Sequence, residues 1–311
     1  APKSAKALSF SSKERIKTLP AVQAMYKVVN KCTGSLGGNG AGGAIYGELT
    51  QASMQRVVNL MVEHGELGPE SAFIDVGAGL GKPNLHVALD PGVKQSVGLE
   101  HEHVRWLLSI HNLRHWLGHA APPPKPDPAG GQAGKRPELD AGGEALSSVS
   151  EKGNTVFMHG DAFEAKTFDP FTHVYMFDIG FPPKLFLHLA ECVRKSKSVK
   201  YVLCYHAPHL MLDRYGFDME FIEKQATSMH GSSEGHTAYL YRCTHAKKAP
   251  LSKAQKAPPV DPLFRECFEV LEAGPSKVLE WVDAKHQEDE RMSGRTARPL
   301  TRSQKAQQNA V

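Results

Sequence analysis

No run of 18 apolar residues occurs anywhere in the 311-residue chain, so an ordinary membrane-spanning helix is not expected. The segment APKSAKALSF also lacks the apolar centre of a signal peptide, and an intracellular protein is the expectation. Cysteine is scarce. The five cysteines, at 32, 192, 204, 243 and 267, are odd in number and show no CxxC spacing, which argues against a disulfide framework or a zinc knuckle. They read as reduced core thiols. There is no internal repeat and no large excess of one charge, the formal net charge being +4. The apolar share of 41% is ordinary for a globular protein and suffices for one large core or two modest ones.

The net charge is small, but the basic residues are unevenly placed. Residues 1 to 32 carry Lys3, Lys6, Lys13, Arg15, Lys17, Lys27 and Lys31 against Glu14 alone, and the tail adds Arg291, Arg295, Arg298, Arg302 and Lys305. Lys247, Lys248, Lys253 and Lys256 form a further cluster. Such ends suit a polyanion, because each phosphate neutralised releases counterions; a solvated tail kept soluble by charge is the plainer alternative.

Strand and helix patterns alternate along the middle of the chain. The reading is helix near 50–64, strand 72–76, helix from 83, strand 95–99, helix 102–117, strand 155–158, strand 173–177, helix 183–195, strand 199–205, helix near 217–228 and strand 237–243. Alternation of this kind predicts a parallel sheet with helices on both faces, closed by the last strand. Residues 118–153, rich in Pro, Gly and Ala, read as a flexible insertion. Three parts follow: a basic segment 1–36, a catalytic domain 37–243, and a stretch 244–311 made of a linker, a small strand pair at CFEVLEAG and KVLEWVD, and a disordered tail.

The most constraining stretch is Phe73 to Gly81, FIDVGAGLG, an apolar strand that runs into an acidic residue and three alternating glycines. Glycines at 77, 79 and 81 let the backbone turn sharply and approach a ligand closely. Asp75 would repel a pyrophosphate. S-adenosylmethionine fits better, carrying a sulfonium and an α-ammonium and no phosphate. Glu100, ending SVGLE, stands where an acidic side chain takes both ribose hydroxyls, and Asp161 in HGDAF stands where a carboxylate accepts from the adenine amino group, with Phe163 flanking the ring. Each acid alone is more often a helix cap than a ligand; three at successive strand tips point to a cofactor.

The fourth strand ends in Phe177-Asp178-Ile179-Gly180-Phe181-Pro182-Pro183. Methyl transfer to nitrogen needs a polar group that orients the amine and apolar walls that exclude water, roles open to Asp178 and Phe181. A carboxylate there also stabilises the ammonium form, so proton loss to water has to accompany docking. The plainer alternative is a helix start at the two prolines. Ahead of the first helix of the domain, GGNGAGGAIYGELT places Tyr46, Gly47 and Glu48 where a lid would fold over a cofactor, with Thr50 as the cap.

The order YGELT, FIDVGAGLGK, SVGLE, GDAF, FDIGFPP and HAPHLMLDRYGF resembles the non-SET histone lysine methyltransferases of the disruptor-of-telomeric-silencing type, over roughly residues 40–243. That resemblance implies a seven-stranded class I S-adenosylmethionine-dependent methyltransferase, with a Rossmann-like sheet covered by helices on both faces. It implies that Tyr46 and Glu48 line a lid, that Asp75, Gly77, Gly79 and Lys82 hold the methionine end, that Glu100 holds the ribose, and that Asp161 and Ala162 hold the adenine. Asp178 falls where the family has its catalytic asparagine and Phe181 where it has a channel phenylalanine; Tyr239 is the nearest tyrosine to a channel position that aligns with Ala238. The implied substrate is a lysine of the third core histone in nucleosomes, with the basic ends on DNA and the protein in the nucleus. Two alternatives stay open: an amine methyltransferase acting on nucleic acid or protein glutamine, since Asp-x-x-x-Pro-Pro loosely resembles an (Asp/Asn)-Pro-Pro-aromatic loop, and a chromatin-binding module without turnover.

Other features read as structural. His111 and His115 have the i, i+4 spacing of a metal pair but no third ligand nearby, so no metal is expected. Trp106 and Trp116 read as packing anchors and Cys204 as an inert core thiol.

Overall fold

In the computed structural model the described residues are 17–33, 47–120, 153–230, 235–248 and 258–296. Seven strands form one sheet in the order β3-β2-β1-β4-β5-β7-β6. They are β1 (Ala72–Val76), β2 (Gln95–Glu100), β3 (Thr155–His159), β4 (His173–Tyr175), β5 (Tyr201–Cys204), β6 (Met219–Ser228) and β7 (Gly235–Cys243). Strands β1 to β5 are parallel, and β7 lies antiparallel between β5 and β6. This is the seven-stranded order, with an antiparallel strand beside β5, that the resemblance implies. Its chain reversal falls between β1 and β4, and in open α/β sheets the crevice at the carboxyl ends beside such a reversal is where ligands bind.

Strand β1 is buried at all five positions, as a central strand covered on both faces must be. Helices α1 (Pro20–Thr33), α2 (Gln51–Gly65), α3 (Lys82–Leu89), α4 (His103–Ala120), α5 (Pro183–Lys195), α6 (Arg265–Glu272) and α7 (Pro275–Thr296) surround the sheet. Two apolar clusters result. The larger joins α1, α4, α5, α6 and α7 to one side of the strands, and the smaller packs α2 with Phe73, Tyr175, Leu203 and Leu240. Thr50 caps α2, its hydroxyl accepting from the Ser53 N–H at 3.2 Å.

The structure departs from the sequence pattern in four places. Residues 217–228, expected to be helical, form β6, the edge partner of β7. A bulge between Phe221 and Glu223 shifts the register there, and the extra residue breaks the alternation that would have marked a strand. Second, the expected strand pair is helices α6 and α7. Cys267, Phe268, Val270 and Leu271, and then Val278 and Val282, are buried at spacings of three and four that fit helical stripes. Third, the sheet is mixed, because β7 enters between β5 and β6 rather than closing a parallel edge. Fourth, the N-terminal segment is not only a basic arm. Val22, Met25, Tyr26 and Val29 form the buried stripe of α1 and join the main core, so that core extends beyond 37–243.

The basic ends 1–16 and 297–311, most of the insertion and Tyr46 lie outside the described residues. Among the described residues no helix is long and apolar enough to cross a membrane.

Candidate active site

A cavity of about 520 Å3 opens at the carboxyl ends of β1, β2 and β4, within the range of about 300–1,000 Å3 usual for small-molecule sites. The glycine loop is held on its β2 side, where the N–H groups of Gly77 and Ala78 donate to the Leu99 carbonyl at 2.8 and 3.0 Å. Gly77 has φ +84°, and a Cβ there would come within 3.3 Å of the Phe181 ring. The residue therefore serves both the turn and the close approach of the opposite wall.

Asp75 is 1% exposed and lines the cavity, and its Oδ1 has no hydrogen-bond partner among the described residues. Burial, and then the neighbouring Glu100 charge, hold its carboxyl well above the usual carboxylate range. A cationic or N–H-bearing ligand group would satisfy it. Glu100 is held differently. Its Oε2 accepts from the Gly79 N–H at 2.7 Å and its Oε1 from the Glu102 N–H at 2.8 Å, so the carboxylate is fixed in orientation. Each oxygen retains acceptor capacity for a hydroxyl pair. Gly79 acts through that bond and does not itself line the cavity. Asp161 caps a short 3-10 turn by accepting from the Phe163 N–H at 2.9 Å; it lines the cavity beside Ala162 and the half-exposed Phe163.

The segment before α2 reaches the cavity through Gly47 and Glu48. Glu48 accepts from Lys82 Nζ at 2.6 Å in an ion pair whose side chains are 7% and 9% exposed. Its backbone carbonyl accepts from the His230 N–H at 2.7 Å, and Leu49 forms a bridge to Met229. The segment is thus tied to the end of β6, and both Glu48 and Lys82 stand in the cavity wall.

At the end of β4 the chain divides its side chains. Phe177 and Phe181 line the cavity, and Asp178, fully buried, does not. Asp178 Oδ1 accepts from the Tyr205 N–H at 2.7 Å, and Oδ2 lies 2.9 Å from His206 Nδ1. Tyr239 also stands away from the cavity, its ring 6.1 Å from Phe221 on the β6–β7 hairpin. The structure adds residues that the motifs did not single out. Tyr26 of α1 and Tyr175 of β4 line the same cavity, as do Met54 and Arg105. Tyr26 comes from a segment read only for its charge, and no local signal joined it to the loop at Gly77. Phe177 stood inside the quoted FDIGFPP run, and its place next to a buried acid was the available signal.

The histidines of α4 acquire a neighbour. His111 and His115 have ring centroids 4.3 Å apart, and His286 from α7 stands 6.0 Å from His111. No group with metal-holding geometry exists among the described residues. Trp116 is in the core, whereas Trp106 donates its indole N–H to the Phe157 carbonyl at 2.8 Å at the edge of a second cavity. Cys204 is fully buried, and burial, then the Asp178 charge, push its thiol well above the usual range; it is no nucleophile.

With the carboxylates and glycine loop in place, comparison with known families becomes informative. Residues 40–115 match the family "Histone methylation protein DOT1". The DOT1 match covers the lid, the glycine loop and Glu100, and ends before Asp161 and Asp178. No curated protein matches the chain. Solved structures are similar to the chain only at low identity and low TM-score. One is a candidate RNA methyltransferase, PH1948 of Pyrococcus horikoshii, at 16% identity and TM-score 0.43, over 71% of this chain and 97% of that one. Another is magnesium protoporphyrin IX methyltransferase (ChlM) of Synechocystis PCC 6803 with bound SAM, at 14% and 0.41, over 74% and 88%. A third is the B. subtilis M1A22 tRNA methyltransferase TrmK, at 11% and 0.40, over 83% and 92%.

Proposed function

We propose that the chain is an S-adenosylmethionine-dependent lysine N-methyltransferase that acts on the third core histone within nucleosomes, in the nucleus. The observation that carries the cofactor reading is Asp75, which lines the cavity and whose buried Oδ1 has no partner among the described residues. The DOT1 match over the lid and glycine loop supports the histone substrate. The cofactor, when bound, supplies an electrophilic methyl group on a positively charged sulfur.

The chain's own residues then divide the work. Asp75, with Glu48 and Lys82 beside it, receives the amino-acid end, the carboxylates facing the ammonium and Lys82 the carboxylate. Glu100, fixed by two backbone N–H groups, accepts from the ribose hydroxyls. Asp161 and Ala162 meet the adenine edge, and Phe163 covers its face. Phe177, Phe181 and Tyr175 make an aromatic wall that keeps water from the reacting nitrogen and holds the lysine stem in line. The lysine ammonium loses its proton to water as it enters this wall, because desolvation disfavours the charged form. Asp178 acts as a positioning residue, holding the Tyr205 backbone and thus the β4 and β5 ends. The basic terminal segments bind nucleosomal DNA without sequence preference.

The test is transfer of labelled methyl from S-adenosylmethionine to nucleosomes, free histones and naked nucleic acid, followed by mass spectrometry of the histones. Label on a lysine of the third core histone, strongest in nucleosomes, is expected. Label in nucleic acid alone would overturn the reading.

A further inference from the structure

A second cavity, of about 400 Å3, is walled by α4, the end of β3, α6 and α7, and shares no lining residue with the first. Two of the chain's three tryptophans, Trp106 and Trp281, stand in its wall. Both have already placed their indole N–H. Trp106 donates to the Phe157 carbonyl at 2.8 Å and Trp281 to Glu266 Oε1 at 2.9 Å. What remains to either is its ring face, which carries partial negative charge; that of Trp106 is shared with the rings of His103 and His159, 5.4 and 5.5 Å away between centroids.

The wall's charge has the matching sign. Glu266, Glu288 and Asp289 line the cavity with one lysine, Lys285, and two histidines, His103 and His159. That lysine shows what the site accepts: its Nζ lies 5.8 Å from the Trp281 ring centroid and 3.5 Å from Glu266 Oε1. Glu288 and Asp289 make no ion pair among the described residues, so two carboxylates remain uncompensated beside the aromatic faces. Leu107, Met158 and Leu263 add an apolar surface suited to a methylene stem. Among the described residues no set of three or more side chains has metal-holding geometry.

We propose that this cavity binds a lysine side chain of a basic polypeptide, with the ammonium over the tryptophan faces and countered by Glu288 and Asp289. The stem lies on the apolar surface, and Lys285 is an internal competitor for the same wall. This rests on the second cavity alone, and its test reads binding rather than methyl transfer, so it stands or falls apart from the first site.

The test is tryptophan fluorescence of the full chain titrated with Nα-acetyl-lysine amide, with its Nζ-trimethyl form, with choline and with the neutral Nα-acetyl-norleucine amide. A saturable change with the lysine forms and none with the norleucine amide is expected. Replacing Glu288→Gln and Asp289→Asn together, both at the protein surface, should weaken binding about fivefold or more. Lys285→Gln should move it the other way, tightening binding as the internal cation is removed, a sign that mere damage to the fold would not produce. An equal response to the norleucine amide, no saturable change, or the same affinity in both variants as in the parent would overturn the proposal. Choline binding more tightly than both lysine forms would also overturn it, assigning the cavity to a free quaternary amine.

Discussion

Fully buried Asp178 pairs with half-buried His206, with Oδ2 2.9 Å from Nδ1, and the other carboxylate oxygen accepts from the backbone N–H of Tyr205 at 2.7 Å. The acid at the end of β4 therefore spends both oxygens on the end of β5. It ties two central strands together behind the Phe177 and Phe181 wall.

Replacing Asp178→Asn should leave the Tyr205 bond intact and weaken the one to His206. The Asp178 hydrogen bond raises the His206 pKa above its ordinary value. A raised histidine contributes stability that is fully present below its unfolded pKa, about 6.5, and is lost as pH rises through the folded value. The variant should thus lose about 1–2 kcal/mol near pH 6 and less near pH 9. Urea unfolding at the two pH values checks this; a loss that grows with pH would contradict the pairing.

Asp75→Asn should separate binding from stability. A buried carboxyl with an unpartnered oxygen costs the unliganded fold, so the amide should leave Tm unchanged or raise it. Affinity for S-adenosylmethionine should fall about tenfold or more, the equivalent of ~1.4 kcal/mol. Calorimetric titration beside thermal melts gives both readings, and a variant that binds as tightly as the parent would remove Asp75 from the site.

The Glu48–Lys82 pair is buried on both sides. Lys82→Met alone should destabilise by about 3–5 kcal/mol, because it removes one side of a buried ion pair. Adding Glu48→Gln should recover part of that loss. A double-mutant cycle measures the coupling, and strictly additive losses would mean that the two groups do not depend on each other.

Two histidines should make the fold sensitive to acid. Burial lowers the pKa of His86 to about 3 and that of His173 to about 4. The unfolded chain takes up these protons first, so stability from each is full above pH 6.5 and falls by about 1.4 kcal/mol per pH unit below it. Asp75 and His206, with raised values, act in the opposite direction, so the comparison is between the parent and His173→Gln. The stability of the variant should change with pH by about 1.4 kcal/mol per unit less between pH 6.5 and 5. Parallel slopes would mean that His173 is not held neutral.

By itself the sequence determined six of the seven strands and the glycine loop after the first of them. Ala72–Val76 and Pro183–Lys195 have the bounds their local patterns predict, because strand alternation, apolar runs and proline punctuation act over a few residues. The carboxylates at 75, 100 and 161 meet in one cavity because parallel strands place successive tips at the same edge. Local pattern failed where a bulge at Phe221/Glu223 hid β6. It failed too where short apolar runs in α6 and α7 fitted either period. Which way a side chain points at a strand end was decided only in the tertiary structure. Phe177 turns into the cavity and Asp178 away from it, toward a histidine 28 residues later in the chain. The tertiary structure also brought Tyr26 to the wall of the first cavity and Trp281 to that of the second, contacts between distant segments that no local period encodes.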